Sequence, residues 1–210
     1  MTLNLTGIRN LVFDFGGVII DIDYDAVRKA FQALGLEDVS AFYQHDDQSK
    51  LVENFESGMV SEKDFRDTII QKIGGDISYE RFDETWNAII KSVPPRRVEL
   101  LTKLSHHFNL YLLSNTNIIH YRKYSHDFEH TYQRSLRGMF KKAYFSHEIK
   151  MRKPAPAIFQ FVLKDAGIKG EESLFVDDSE LNIKSAESVG FKTLYKPQEE
   201  ELTAFFKKYL

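Results

Sequence analysis

Four short polar clusters hold the residue types from which a catalytic site can be built. The first is Asp14-Phe15-Gly16-Gly17-Val18, directly after the apolar run Leu11-Val12-Phe13. The two glycines permit a tight turn whose amides can bind phosphate oxygens beside the Asp14 carboxylate. The same residues also describe a strand running into a glycine turn, with Asp14 as an ordinary cap. The second is Leu112-Leu113-Ser114-Asn115-Thr116-Asn117, an apolar run ending in small hydroxyl and amide groups. These can hydrogen-bond a phosphoryl group without adding charge, and they suit a helix N-cap equally well. The third is Met151-Arg152-Lys153-Pro154. Proline favours extended backbone at Lys153 and suits the start of a helix. A lysine fixed there can neutralise phosphate charge; standing alone, it is a solvated loop lysine. The fourth is Val176-Asp177-Asp178-Ser179, with Asn182 four residues past Asp178. Adjacent carboxylates at a strand end repel each other, and a hard cation such as magnesium is the natural compensation. Ser179 is placed to cap the next helix.

The elements that must position these clusters are legible too. Leu11 to Phe13, Leu110 to Leu113, Ala143 to Phe145 and Leu174 to Val176 are short apolar runs, and Lys192 to Tyr195 suggests a fifth strand. Such runs alternating with helix-like segments predict an α/β fold, a three-layer Rossmann-like sandwich with a mainly parallel sheet of five or six strands. Ligands bind beyond the carboxyl ends of such strands, so three of the clusters converge. Residues 20–95 are expected to form a small helical cap inserted after the first strand, with 1–19 and 96–210 as the core domain. Within it, Ala26 to Leu34 has helical spacing closed by Gly35. Ser61 opens a capping-box-like helix, and Tyr79 to Ile90 reads as another, bounded by Pro94-Pro95. Ala155 to Ala166 predicts a helix ended by Gly167, and Glu199 to Tyr209 the last one.

Net charge is −3 and the basic residues are scattered, so no nucleic-acid partner is expected. The exception is the short stretch Lys141, Lys142, Lys150, Arg152 and Lys153. The absence of cysteine excludes disulfides and thiolate zinc sites. No apolar stretch approaches the roughly 20 residues of a membrane span, and the N-terminus does not resemble a secretory signal. A cytoplasmic monomer without membrane contact is the expectation.

In this order, the four clusters resemble the haloacid dehalogenase superfamily of hydrolases over nearly the whole chain. Within it the sequence is similar to small-cap bacterial phosphatases of the α-D-glucose-1-phosphate phosphatase type. The similarity lies in Asp14-Phe15-Gly16, Ser114 to Asn117, Met151 to Pro154, the Asp177-Asp178 pair, and Glu53 to Phe65. The resemblance implies a phosphatase for a small soluble phosphate ester, such as glucose 1-phosphate, with Mg²⁺ as cofactor. Asp14 would be the nucleophile, forming an aspartyl-phosphate. Asp14, the Gly16 carbonyl and Asp178 would bind Mg²⁺, with Asp177 assisting directly or through water. Ser114 and Lys153 would bind the phosphoryl group, with Asn115 beside them and Asn182 behind.

The main departure is Gly16, where most phosphatases of the superfamily carry an acid–base aspartate. Losing such a group costs about 10²–10⁴ in rate. A leaving group needing little protonation, such as an anomeric oxygen, would tolerate the loss. Asp21, Asp23 or a water could substitute, though both aspartates also fit helix caps. Two other readings follow from Gly16, a metal-independent haloacid dehalogenase and a catalytically silent interaction protein. The Asp177-Asp178 pair favours phosphate over halide. Among cap residues, Glu53, Phe55, His45 and Asp46 are candidates for reading the substrate, and His120 and Arg122 could approach the site.

Overall fold

The computed structural model describes residues 3–36 and 47–209. The apolar runs are strands β1 (Asn10–Phe13), β2 (Asn109–Ser114), β3 (Lys142–Phe145), β4 (Ser173–Asp177) and β5 (Lys192–Tyr195). Helices α1 (Tyr24–Ala33), α2 (Asp47–Glu56), α3 (Glu62–Ile73) and α4 (Tyr79–Trp86) lie between β1 and β2, followed by α5 (Pro95–Leu104). Then come α6 (Ile118–Tyr132), α7 (Ser146–Ile149), α8 (Pro156–Ala166), α9 (Glu180–Ser188) and α10 (Leu202–Phe205).

The five-stranded sheet has the order β3-β2-β1-β4-β5, and every pairing is parallel. The chain builds outward from β1 to β3 on one side, then crosses over to add β4 and β5 on the other. The strand order reverses beside β1, and the crevice beyond its carboxyl end is where such sheets take ligands. β1 is buried throughout because helices cover both faces. Leu11 and Phe13 meet residues of α5, α6 and α10 on one face, whereas Val12 meets α8 and α9 on the other. That alternation follows from the two-residue period of a strand.

Helices α1 to α4 share a separate aromatic cluster of Phe31, Phe55, Phe65, Phe82 and Trp86, joined by Ile119 of α6. The chain leaves and re-enters the sheet through adjacent segments. The Asp23 N–H donates to the Ile89 carbonyl (2.8 Å) and the Lys91 N–H to the Asp21 carbonyl (3.1 Å). This narrow neck lets the helices stand over one end of the sheet without interrupting it. Local sequence sets their ends. Ser61 accepts a hydrogen bond from the Asp64 amide (3.1 Å) and donates to its carboxylate (2.7 Å), so it caps α3. Asp23 caps α1 through the Ala26 amide (2.9 Å).

Two expectations are corrected. The segment Glu199 to Tyr209 is not one helix but the short α10 and a separate 3₁₀ turn, Lys207–Tyr209. Between them Phe206 tucks into the core against Phe13, and that anchor takes precedence over helical continuity. The expected helix Tyr79 to Ile90 ends at Trp86 and passes through a 3₁₀ turn, Asn87–Ile89, because Ile90 turns extended to bridge Ile22, whereas the helix expected over Ala155 to Ala166 is α8. Among the described residues, no helix is long and apolar enough to cross a membrane.

Candidate active site

Asp14 continues the sheet one residue past β1, its amide donating to the Val176 carbonyl at 2.9 Å. Its carboxylate therefore stands at the carboxyl end of the central strand, between β2 and β4. Lys153 reaches it from the loop before α8, with Nζ 2.8 Å from Asp14 Oδ1 and 2.6 Å from Asp177 Oδ2. The lysine is 1% exposed, so this contact is shielded from bulk water. One carboxylate oxygen each from Asp14, Asp177 and Asp178 lies within 4.8 Å of the others. Burial pushes the Asp14 carboxyl up to about 7; Lys153 opposes the shift, while Asp177 and Asp178 reinforce it. Burial raises Asp178 as well.

The partners of each group narrow its role. Asp177 is fully buried and well satisfied. Its Oδ1 accepts from the Ser179 amide (2.8 Å), Asn182 Nδ2 bonds both oxygens (2.9 and 3.1 Å), and Oδ2 takes Lys153. Its geometry is that of an anchor for Lys153. Ser179 sits at the N-cap of α9, but its hydroxyl makes no capping bond, and the Asp177 carboxylate takes the Ser179 amide instead. Asn115 spends its amide on the Lys153 backbone, donating to the carbonyl and accepting from the N–H, each at 2.9 Å. It thus ties the end of β2 to the lysine loop. Ser114, the last residue of β2, lines the same cavity. Helix capping in this segment falls to Asn117, which accepts from the His120 amide at 3.0 Å.

The Gly16-Gly17 turn is shaped by what it faces. Gly17 has φ +70, and a Cβ there would lie 2.1 Å from Asp178 Oδ2, so the site demands glycine. The same Asp178 oxygen accepts from Gln198 (2.8 Å). The fully buried Lys196 donates to the Gly17 carbonyl (2.8 Å) and the Pro197 carbonyl (3.1 Å). None of the bonds that fix this turn uses the Gly16 carbonyl. Sequence reasoning missed Lys196 and Gln198. Their signal was the polar Lys196-Pro197-Gln198 at the end of β5, beside the Asp177-Asp178 end of β4.

Asp14, Gly16, Ser114, Asn115, Lys153 and Asp178 all line one cavity of about 370 Å³. Its far wall comes from α1, α2, α4 and α6, with Tyr24, Glu53, Glu56, Trp86 and His120 among the lining residues. Arg152 pins this wall to the lysine loop, donating to Glu53 (2.9 Å) and Glu56 (3.1 Å). His120 stacks flat on Trp86 at 5.2 Å, its Nδ1 is 2.9 Å from Asn87 Oδ1, and burial lowers it to about 3. It is therefore a neutral imidazole. Tyr24 escaped sequence reasoning as a site residue, and Glu56 entered it only within the Glu53 to Phe65 stretch that resembles the cap of related enzymes.

Several candidates are placed elsewhere. Phe55 stacks on Phe65 at 3.9 Å inside the helical cluster, which is why it is absent from the cavity. Arg122 is held by Glu62 (2.6 and 2.7 Å). Asp21 pairs with Arg97 (2.8 Å) and Asp23 with Lys91 (3.0 Å), so both have structural partners. His45 and Asp46 lie outside the described residues. Within the basic stretch Lys142 pairs with Asp165, Arg152 with Glu53 and Glu56, and Lys153 is buried, which leaves Lys141 and Lys150 exposed.

The donor set fits a hard divalent cation. Three clustered carboxylates face one ammonium, leaving an uncompensated negative charge that burial makes costly. All the donors are oxygens, as Mg²⁺ requires, and Mg²⁺ needs only one or two carboxylates from the protein. Asp14 and Asp178 are the better placed, because Asp177 is already committed to Lys153, Ser179 and Asn182.

This fold and site define a class, and sequence comparison agrees: the chain belongs to the haloacid dehalogenase-like hydrolase family, whose model matches residues 8–190. It is 34% identical to the D-ribitol-5-phosphate phosphatase of Bacteroides thetaiotaomicron over 91% of this chain and 92% of that protein. Among solved structures, it is similar to a HAD family enzyme from Bacteroides thetaiotaomicron crystallised with magnesium and inorganic phosphate. For the wild-type complex the TM-score is 0.85 at 33% identity, covering 95% of this chain and 99% of that one. A predicted HAD-like hydrolase from Porphyromonas gingivalis matches with a TM-score of 0.87 at 29% identity over 96% and 97% of the two chains. The L-2-haloacid dehalogenase of Xanthobacter autotrophicus, at 17% identity and a TM-score of 0.61, shares the fold alone.

Proposed function

We propose that this hydrolase is a magnesium-dependent phosphatase that cleaves a small sugar or polyol phosphate through an aspartyl-phosphate on Asp14. The observation that carries the reading is the placement of Asp14 on the cavity floor, bridged by Lys153 to Asp177 and clustered with Asp178. Asp14 attacks phosphorus while Lys153 donates to a phosphoryl oxygen. The Ser114 hydroxyl binds a second oxygen, and Asn115 and Asp177 fix the lysine from its backbone and its tip. Asp14, the Gly16 carbonyl and Asp178 are the residues that would hold Mg²⁺. Bound there, the ion supplies positive charge to the transferring phosphoryl oxygens. Water then hydrolyses the aspartyl ester and restores the carboxylate.

The cavity accommodates a small polyhydroxylated alcohol, and residues 20–95 act as the cap that closes over it. The named relative supports a polyol phosphate such as D-ribitol 5-phosphate. The glycine at position 16 is compatible with an anomeric ester such as glucose 1-phosphate. Every residue of the cluster comes from one chain, so a monomer is sufficient. The test is phosphate release from a panel of polyol, aldose, nucleotide and carboxylic-acid phosphates, with and without Mg²⁺. Magnesium-dependent release led by polyol or sugar phosphates supports the reading. No release from any member, or undiminished release with chelator present, would overturn it.

A further inference from the structure

With glycine at position 16, the acid–base aspartate expected two residues past the nucleophile is absent, and the carboxylates clustered with Asp14 are committed to Lys153 and the cation site. We infer that Glu56, at the end of α2, is the general acid and base of this site. This rests on the phosphatase reading above and supplies the proton transfer that reading lacks.

The geometry narrows the choice. In phosphoryl transfer the leaving oxygen lies roughly in line with the attacking one, on the far side of phosphorus. An ester attacked by Asp14 on the cavity floor therefore points its leaving oxygen at the cap wall. The titratable groups of the cavity can be taken in turn. Lys153 is locked between Asp14 and Asp177, and Asp178 is bound by Gln198 beside the cation site. His120 is neutral, its Nδ1 engaged with Asn87. Tyr124 is the 3.4 Å partner of Thr116, and burial raises its phenol. Burial and nearby Asp178, Glu56 and Asp14 raise Tyr24 further above the range of a useful acid. Glu53 is 47% exposed and paired with Arg152.

Glu56 is different. Its side chain is only 20% exposed, it lines the cavity, and Arg152 holds Oε2 at 3.1 Å. Among the described residues Oε1 has no hydrogen-bond donor, so it is available for a proton directed at substrate. The groups facing Glu56 are Arg152, Glu53, Lys153 and Tyr24. Burial raises its carboxyl, and the attraction of Arg152 does not cancel the rise. Arg152 thus fixes the orientation of the carboxyl.

The step balances. As the Asp14 oxygen bonds phosphorus, the bond to the leaving oxygen breaks, and its electron pair takes the Glu56 proton to give the free alcohol. The resulting Glu56 carboxylate then accepts a proton from water as the water oxygen attacks phosphorus. The bond to Asp14 breaks, inorganic phosphate leaves, and Glu56 is protonated again.

The test compares wild type, Glu56→Gln and Glu56→Asp on ribitol 5-phosphate and on p-nitrophenyl phosphate, whose leaving group departs without a proton. Glu56→Gln keeps an acceptor for Arg152 and should unfold at the wild-type temperature. Its kcat on the alkyl ester should fall by about 10²–10⁴, the usual value of such a proton transfer. On the p-nitrophenyl ester steady turnover should fall as well, because both esters share the water step, but the first-turnover burst of p-nitrophenolate should stay within about tenfold of wild type, and Glu56→Asp should recover part of the alkyl rate. A burst slowed as much as the alkyl ester, or no loss of turnover on either ester, would overturn the assignment. A wild type inactive on every ester would instead overturn the phosphatase reading, and Glu56 with it.

Discussion

Replacing Gly17 by alanine tests whether the turn after Asp14 exists to admit Asp178. The added Cβ would lie 2.1 Å from Asp178 Oδ2 and 2.8 Å from its Cγ. Ordinary contact begins at 3.4 Å, so the carboxylate must retreat by about 1 Å. Swinging away means giving up the hydrogen bond that Gln198 donates to the same oxygen at 2.8 Å. A misplacement of about 1 Å in a catalytic constellation can cost 10²-fold in rate. The φ of +70 adds strain, about 1–2 kcal/mol for a non-glycine residue, which lowers Tm by roughly 2–8 °C at this size. The assay is a magnesium titration of phosphate release, paired with thermal unfolding. Gly17→Ala should remain folded, need more Mg²⁺ for half-maximal rate, and lose about 10²-fold in kcat/KM. In Gly17→Ala/Asp178→Ala the clash disappears, so the stability losses should be less than additive. A folded Gly17→Ala with wild-type magnesium dependence and rate would refute the reasoning.

Three further outcomes are expected. Lys153→Met leaves the Asp14–Asp177 pair without its cation, and removing one partner of a buried pair costs about 3–5 kcal/mol in urea unfolding. Arg97→Met strips Glu201 (2.9 and 3.0 Å), Asp21 (2.8 Å) and the Ile19 carbonyl (3.2 Å) of a buried guanidinium and should cost a similar amount, with activity changed through stability alone. The third concerns pH. Burial alone would raise the Glu201 carboxyl, but hydrogen bonds from Arg97 and Arg96 outweigh it and hold it at about 2, below its ordinary 4.5. A depressed acid stabilises the fold above its unfolded pKa and loses that contribution as pH falls toward the folded one. Glu201→Gln should therefore be less stable than wild type at neutral pH, by at most about 3 kcal/mol and less after solvent screening. The gap should close between pH 4.5 and about 2, as read by urea midpoints.

The strands were legible because a parallel sheet covered on both faces needs uninterrupted apolar runs, and Leu11 to Phe13 and Leu174 to Val176 are such runs. Asp14, Ser114, Lys153 and Asp178 were legible because each abuts a strand end or a proline. Contacts between distant residues were not. Nothing near Glu56 says that Arg152, 96 positions away, orients it. Lys196 reads as an ordinary charge after β5, yet it is buried on the Gly17 carbonyl. Phe55 misled because an aromatic beside Glu53 on a helix can face either way, and the Phe65 ring claimed it. Asp177 was read as assisting the cation directly or through water; it clusters with Asp14 and Asp178, and its further bonds to Lys153 and Asn182 are contacts that adjacency in sequence does not reveal.

The most direct test of covalent catalysis at Asp14 is acid quench of the working enzyme on a ³²P-labelled substrate, followed by peptide mapping. The account predicts magnesium-dependent label on the peptide containing Asp14, released by hydroxylamine, and neither label nor turnover in Asp14→Asn. Turnover persisting in Asp14→Asn, or label on a different residue, would contradict it.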